Sequence, residues 1–259
     1  FGLIYLTLAV FAVRRIATLG KPFVISALAL GACFTTLAIP LALSAKWTAF
    51  AWAIEGLGIL WLGLHQKQRY VSYSGTGLLL LALGSAVKAT PELDRFSFCL
   101  VFGIICLTWL AAAWLWRNRR AELEVGLLAG GILLWVITLV KGVQPHAVSD
   151  VFNIVLLVVL MTLSVLVWFA VAKRLKWPLM GYSVWLLWPV MLLALGALFS
   201  VDASLPEIGW INLAWPCVLA TAFFLLRHGK PTPQGTVAQG LLAGIILVWV
   251  GVLIKLVQP

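Results

Sequence analysis

Residues 47–88 read WTAFAWAIEGLGILWLGLHQKQRYVSYSGTGLLLLALGSAVK. Two apolar runs, 47–64 and 71–87, flank a turn that holds Lys67 and Arg69, and the second run stops at Lys88. A helix that crosses a bilayer needs about 20 predominantly apolar residues. The stretch therefore predicts a helical hairpin that traverses a membrane, turns at a basic loop and returns. Similar runs continue on both sides, at roughly 2–13, 22–44, 96–116, 125–140, 151–172, 179–200, 208–226 and 237–254. The expectation is an all-α, polytopic transmembrane bundle of about ten helices, forming a single domain over 1–259.

The charges orient it. The connections after alternate runs hold Arg14, Arg15 and Lys21; Lys67 and Arg69; Arg117, Arg119 and Arg120; Lys173, Arg174 and Lys176; Arg227 and Lys230. The other side holds Lys46, Lys88, Arg95, Lys141 and Lys255. Cytoplasmic loops carry the excess of Lys and Arg, so the richer side is assigned to the cytoplasm and both ends of the chain point outward. A net charge of +10 invites a nucleic-acid reading. Basic residues placed in twos and threes beside helix ends are instead topology signals and partners for anionic lipid headgroups, and no nucleic acid is expected.

The runs are related. Gly126-Leu-Leu-Ala-Gly130, Trp135-Val136, Lys141 and Val143-Gln144-Pro145 return as Gly240-Leu-Leu-Ala-Gly244, Trp249-Val250, Lys255 and Val257-Gln258-Pro259. Fourteen of twenty aligned positions are identical at an offset of 114, which leucine-rich bias does not explain for the Trp, Lys and Gln-Pro positions. Half that offset separates the basic turns near 68, 118, 174 and 228. The repeating unit is then a hairpin, at approximately 47–88, 96–141, 151–200 and 208–255. In three of the four a lysine precedes a proline at the outer end: Lys88, Lys141 and Lys255. These lysines are candidate outer-face cations, read either as snorkelling side chains or as an anion site. Gly126 with Gly130, and Gly240 with Gly244, are GxxxG pairs. They serve either close packing within the chain or a seam in a homo-oligomer. Phe1 at the start and Pro259 directly after a run lead to the expectation that the chain is an excerpt of a longer protein.

Chemistry has few carriers. Cys33, Cys99, Cys106 and Cys217 lie singly in apolar runs, and His65, His146 and His228 have no second ligand at metal spacing, so no metal, cofactor or catalytic set is expected. Glu55 is the one acid inside an apolar run. A carboxylate at that depth is costly unless protonated, paired or wetted. Ala49, Ala53, Gly56 and Gly63 form a small-residue stripe beside it. Trp52 precedes it by one turn, and counting back from the preceding turn places Thr35 and Thr36 at its depth. Pro40 removes the amide that would bond the Thr36 carbonyl. Glu55 is thus either a functional acid, such as a proton relay, or a structural glutamic acid bonded to that neighbouring helix.

The segments Leu37-Ala-Ile-Pro40-Leu-Ala-Leu43, Trp47-Thr48, Ala51-Trp52-Ala53-Ile54-Glu55-Gly56 and Trp61-Leu62-Gly63-Leu64 resemble the bacterial predicted membrane proteins catalogued as domain of unknown function 2339. The resemblance implies a large multi-pass protein of the bacterial inner membrane and implies no activity. Glu55 matches the acidic position of that family. The expected function is a non-enzymatic transport-related or scaffold protein. The rival is the membrane portion of an enzyme acting on lipid-linked or cell-envelope glycans, whose acids would come from Glu92, Asp94, Asp150, Asp202 and Glu207 on outward connections.

Overall fold

The structure is a computed structural model and describes residues 45–143, 150–200 and 205–228, with 243–246, 249–250 and 254. Every regular element in it is helical. In order these are α1 (Ala45–His65), α2 (Arg69–Ala89), a 3₁₀ turn (Thr90–Glu92), α3 (Arg95–Trp116), α4 (Ala121–Val143), α5 (Asp150–Arg174), α6 (Pro178–Gly181), a 3₁₀ segment (Tyr182–Leu186), α7 (Leu187–Ser200) and α8 (Leu205–His228). Six segments among the described residues are long and apolar enough to cross a membrane, the last of them running unbroken through α6, the 3₁₀ segment and α7. Mid-helix leucines such as Leu80, Leu107, Leu133, Leu163 and Leu193 are exposed, as side chains facing acyl chains are. The chain divides into two compact units, 1–135 and 136–259, with the boundary inside α4.

In the first unit α1 and α2 pack so closely that their backbones touch. Ala49, Ala53 and Leu60 on α1, and Leu79, Ala82 and Ala86 on α2, are fully buried. A Cβ on Gly63 would lie 2.5 Å from the Ser72 amide nitrogen, and one on Gly75 would lie 2.7 Å from the Gly56 carbonyl oxygen. Without a hydrophobic drive between helices in lipid, such small-residue seams are what hold two helices together. α3 packs on both, burying Ile105, Cys106, Ala112 and Trp116. It meets α4 through the Trp109 ring, which covers Gly130, and through the Cys106 thiol, which donates to the Gly131 carbonyl oxygen at 3.1 Å.

The turns after α1, α3 and α5 are built with left-handed residues. Lys67 has φ 58°. The Gln68 amide donates to the Gly63 carbonyl at 2.9 Å, and the Lys67 amide to that of Leu64 at 3.4 Å. Lys176 (φ 50°) repeats the device, with the Trp177 amide on the Ala172 carbonyl at 2.8 Å. Both are helix C-caps in which the last carbonyls are satisfied by the reversing chain. At the third turn Arg117 lies at φ −49°, ψ 133° and Asn118 at φ 61°, with the Arg119 amide on the Trp116 carbonyl at 2.9 Å. That is a type II turn, in which asparagine is among the few residues that tolerate the third position. At the opposite end, Asp94 caps α3 by accepting from the Ser97 amide at 3.3 Å.

In the second unit α5 packs against α6, the 3₁₀ segment, α7 and α8. The expected run 179–200 is not one α-helix. Pro189 has no amide to offer the Trp185 carbonyl and crowds it, and the preceding turn tightens to 3₁₀ geometry over Tyr182–Leu186. Pro216 sits inside α8. The second copy of the 114-residue duplication lies largely outside the described residues, as do the expected runs 2–13 and 22–44.

Candidate functional site

Two places in the first unit concentrate polar chemistry within the apolar helices. The first surrounds Glu55. On α1 the stripe Ala49, Ala53, Gly56 and Leu60 faces the seam. Thr48, Trp52 and Glu55 run along its flank at helical spacing, with Thr48 buried and the other two half-buried. The Oε2 atom of Glu55 is itself enclosed. The small-residue stripe expected beside Glu55 is thus the packing face of α1. Thr35 and Thr36, the expected partners, lie outside the described residues.

The second place is a cleft of about 310 Å³ where the turns after α1 and α3 meet. Its basic residues are Lys67, Arg69, Arg119 and Arg120, all exposed. Its inner wall is aromatic, with the Tyr73 ring stacked on that of Trp116 at 5.6 Å and 28°. Trp116 is fixed from behind, because its Nε1 donates to Thr76 Oγ1 at 3.1 Å and that hydroxyl donates to the Ser72 carbonyl at 3.1 Å. Arg119 Nη1 donates to the Leu64 carbonyl at 3.2 Å and so ties the second turn to the end of α1. Gln68, the N-cap of α2, places no side-chain hydrogen bond on that helix's first turn, whose positive dipole end borders the cleft. Glu122 and Glu124, the nearest acids along the chain, are not in the lining.

Lys88 and Lys141 are exposed in the last turns of α2 and α4, and Lys255 lies outside the described residues. Of the GxxxG glycines, Gly130 is covered by Trp109, whereas among the described residues nothing lies against Gly126 or Gly244, and Gly240 lies outside the described residues. The hydroxyls of Thr108, Thr162, Ser164 and Thr221 all bond carbonyls of their own helices at 2.7–2.8 Å. That explains how these groups sit at depth without forming a site. In the second unit an apolar groove of about 390 Å³ runs between α5 and α8, lined by residues such as Val155, Leu163 and Val218. Among the described residues no cluster of His, Cys, Asp and Glu could hold a metal ion.

Sequence reading missed the cleft. It treated Lys67 and Arg69, and Arg119 and Arg120, as separate orientation signals. The available clue was the spacing of the basic turns, which puts successive turns on the same side.

These features define a multi-pass helical membrane protein. The family model described as Predicted membrane protein (DUF2339) matches residues 1–258, and the chain belongs to that family. No curated protein and no solved structure matches the chain.

Proposed function

We propose that the chain is a non-enzymatic integral protein of the bacterial inner membrane, in a scaffold or transport-related role, with the scaffold favoured. The observation that carries this reading is the setting of Glu55. The one acid within an apolar run flanks a seam where two backbones touch, and neither cavity described above has it in its lining. A transporter brings such a group to a water-filled path, whereas a packed flank keeps it as a polar tie between helices. The finer architecture belongs to the same proposal: ten spans, repeated hairpins, basic turns in the cytoplasm and both ends outside. The Arg119 bond to Leu64 supports it, because it brings two basic turns to one end of the helices.

The rival is an enzyme acting on lipid-linked or envelope glycans, and cells lacking the chain separate the two. Their lipid-linked precursors and envelope glycans, profiled by mass spectrometry, are expected to match those of the parent strain. An accumulated lipid-linked precursor would overturn the non-enzymatic reading. Orientation is tested separately, in a background without the native cysteines. Thr90→Cys is expected to react with a membrane-impermeant thiol reagent in intact cells, and Gln68→Cys only after permeabilisation. The reverse pattern sinks the assignment.

A further inference from the structure

We propose that the cleft between the α1–α2 and α3–α4 turns is a binding site for a phosphate group, carried by a lipid headgroup or free in solution. Four cations from two turns border one concavity of about 310 Å³, and its lining holds no carboxylate. Charges used only to orient a helix need no shared cavity. Here Arg119 is held by the Leu64 carbonyl at 3.2 Å, so one guanidinium is fixed in place before any ligand arrives. Arginine presents a planar fork of donors that matches phosphate oxygens in pairs, and lysine adds a point charge. Three of the four cations are arginines. The N-terminus of α2 adds its dipole and Gln68 an amide that gives the first turn no cap. The stacked Tyr73 and Trp116 rings provide an apolar wall on the membrane side, where the glycerol end of a headgroup would rest.

The site does not depend on the scaffold reading, since a transporter or an enzyme would keep it equally. The test uses the full chain purified in a neutral detergent, with two probes: inorganic phosphate, and a short-chain phosphatidic acid below its micelle concentration. Binding is read by native mass spectrometry and by calorimetric titration. The wild-type chain is expected to bind the phosphatidic acid at one site, and Arg69→Gln with Arg120→Gln to weaken it by at least about tenfold. Lys173→Gln with Arg174→Gln, which removes two charges from another turn, is expected to leave it unchanged. All three proteins should melt together, because the substituted side chains are exposed. Binding of the lipid probe alone assigns the site to a headgroup. Binding of both probes, with the same loss in the Arg69 and Arg120 variant, assigns it to the phosphate wherever it is carried. Binding of neither, or equal weakening by the two double variants, overturns the proposal.

Discussion

Gly75→Leu is expected to prevent α1 and α2 from closing, and Gly75→Ala to destabilise the protein by roughly 1–3 kcal/mol through overpacking. A Cβ at this position meets the Leu60 backbone and stands 2.7 Å from the Gly56 carbonyl oxygen. Those atoms belong to main chain inside a helix, so no rotamer change makes room, and the helices must part along the whole seam. Dispersion contacts between closely set helices are a main source of stability in lipid, and separation forfeits them. Gly84→Ala on the same helix is the control. Its Cβ meets open space. That substitution is expected to be neutral or to add up to about 1 kcal/mol through helix propensity. Denaturation of the three proteins in one detergent decides the matter, and equal midpoints for Gly75→Ala and Gly84→Ala would refute the seam.

Trp116→Ala is expected to lower stability by about 3–5 kcal/mol, the range for truncating a buried aromatic side chain. The side chain is 4% exposed, stacks on Tyr73 and bonds Thr76 on α2. It therefore joins α3 to the first hairpin by area and by a directed bond. Trp116→Phe keeps most of the area and loses the bond, at about 1–2 kcal/mol. Because the bond has two partners, Trp116→Phe and Thr76→Val should be non-additive by about 1 kcal/mol in a double-mutant cycle. Strict additivity would show that the 3.1 Å contact between Nε1 and Oγ1 contributes nothing.

The six spans among the described residues were legible in the sequence because apolar length and basic punctuation are strong signals. The expected run 47–64 is occupied by Ala45–His65, 96–116 by Arg95–Trp116 and 151–172 by Asp150–Arg174. What each helix faces was much less legible. In a soluble protein the apolar stripe marks the buried face. Here Leu80 and Leu107 are exposed while Leu79 and Ile105 are buried, so hydrophobicity has no side to choose. Small residues were the remaining signal, and Ala49, Ala53, Gly56 and Gly63 do mark the α1 face toward α2. The tightening at Tyr182–Leu186 was legible only in its cause, Pro189, because a run of apolar residues reads alike in α and 3₁₀ geometry. The cleft was illegible for a different reason. Two cations in a turn look like an orientation signal, and it takes the reach of Arg119 across to Leu64 to make two such turns one basin of positive charge.

The α1–α2 seam also bears on how the chain enters the membrane. These two helices are the least apolar of the six that can span, and α1 carries the acid. Presented singly to the lateral gate of the insertion machinery, each has a weak claim on lipid, and an ionised group near mid-bilayer adds a few kcal/mol against entry. The contacts that compensate lie between neighbours in sequence, joined by a turn of three residues, so they close as soon as the second helix emerges. What partitions into lipid is then the pair, with its glycine faces already hidden. The later, greasier helices can each enter on their own account and dock afterwards.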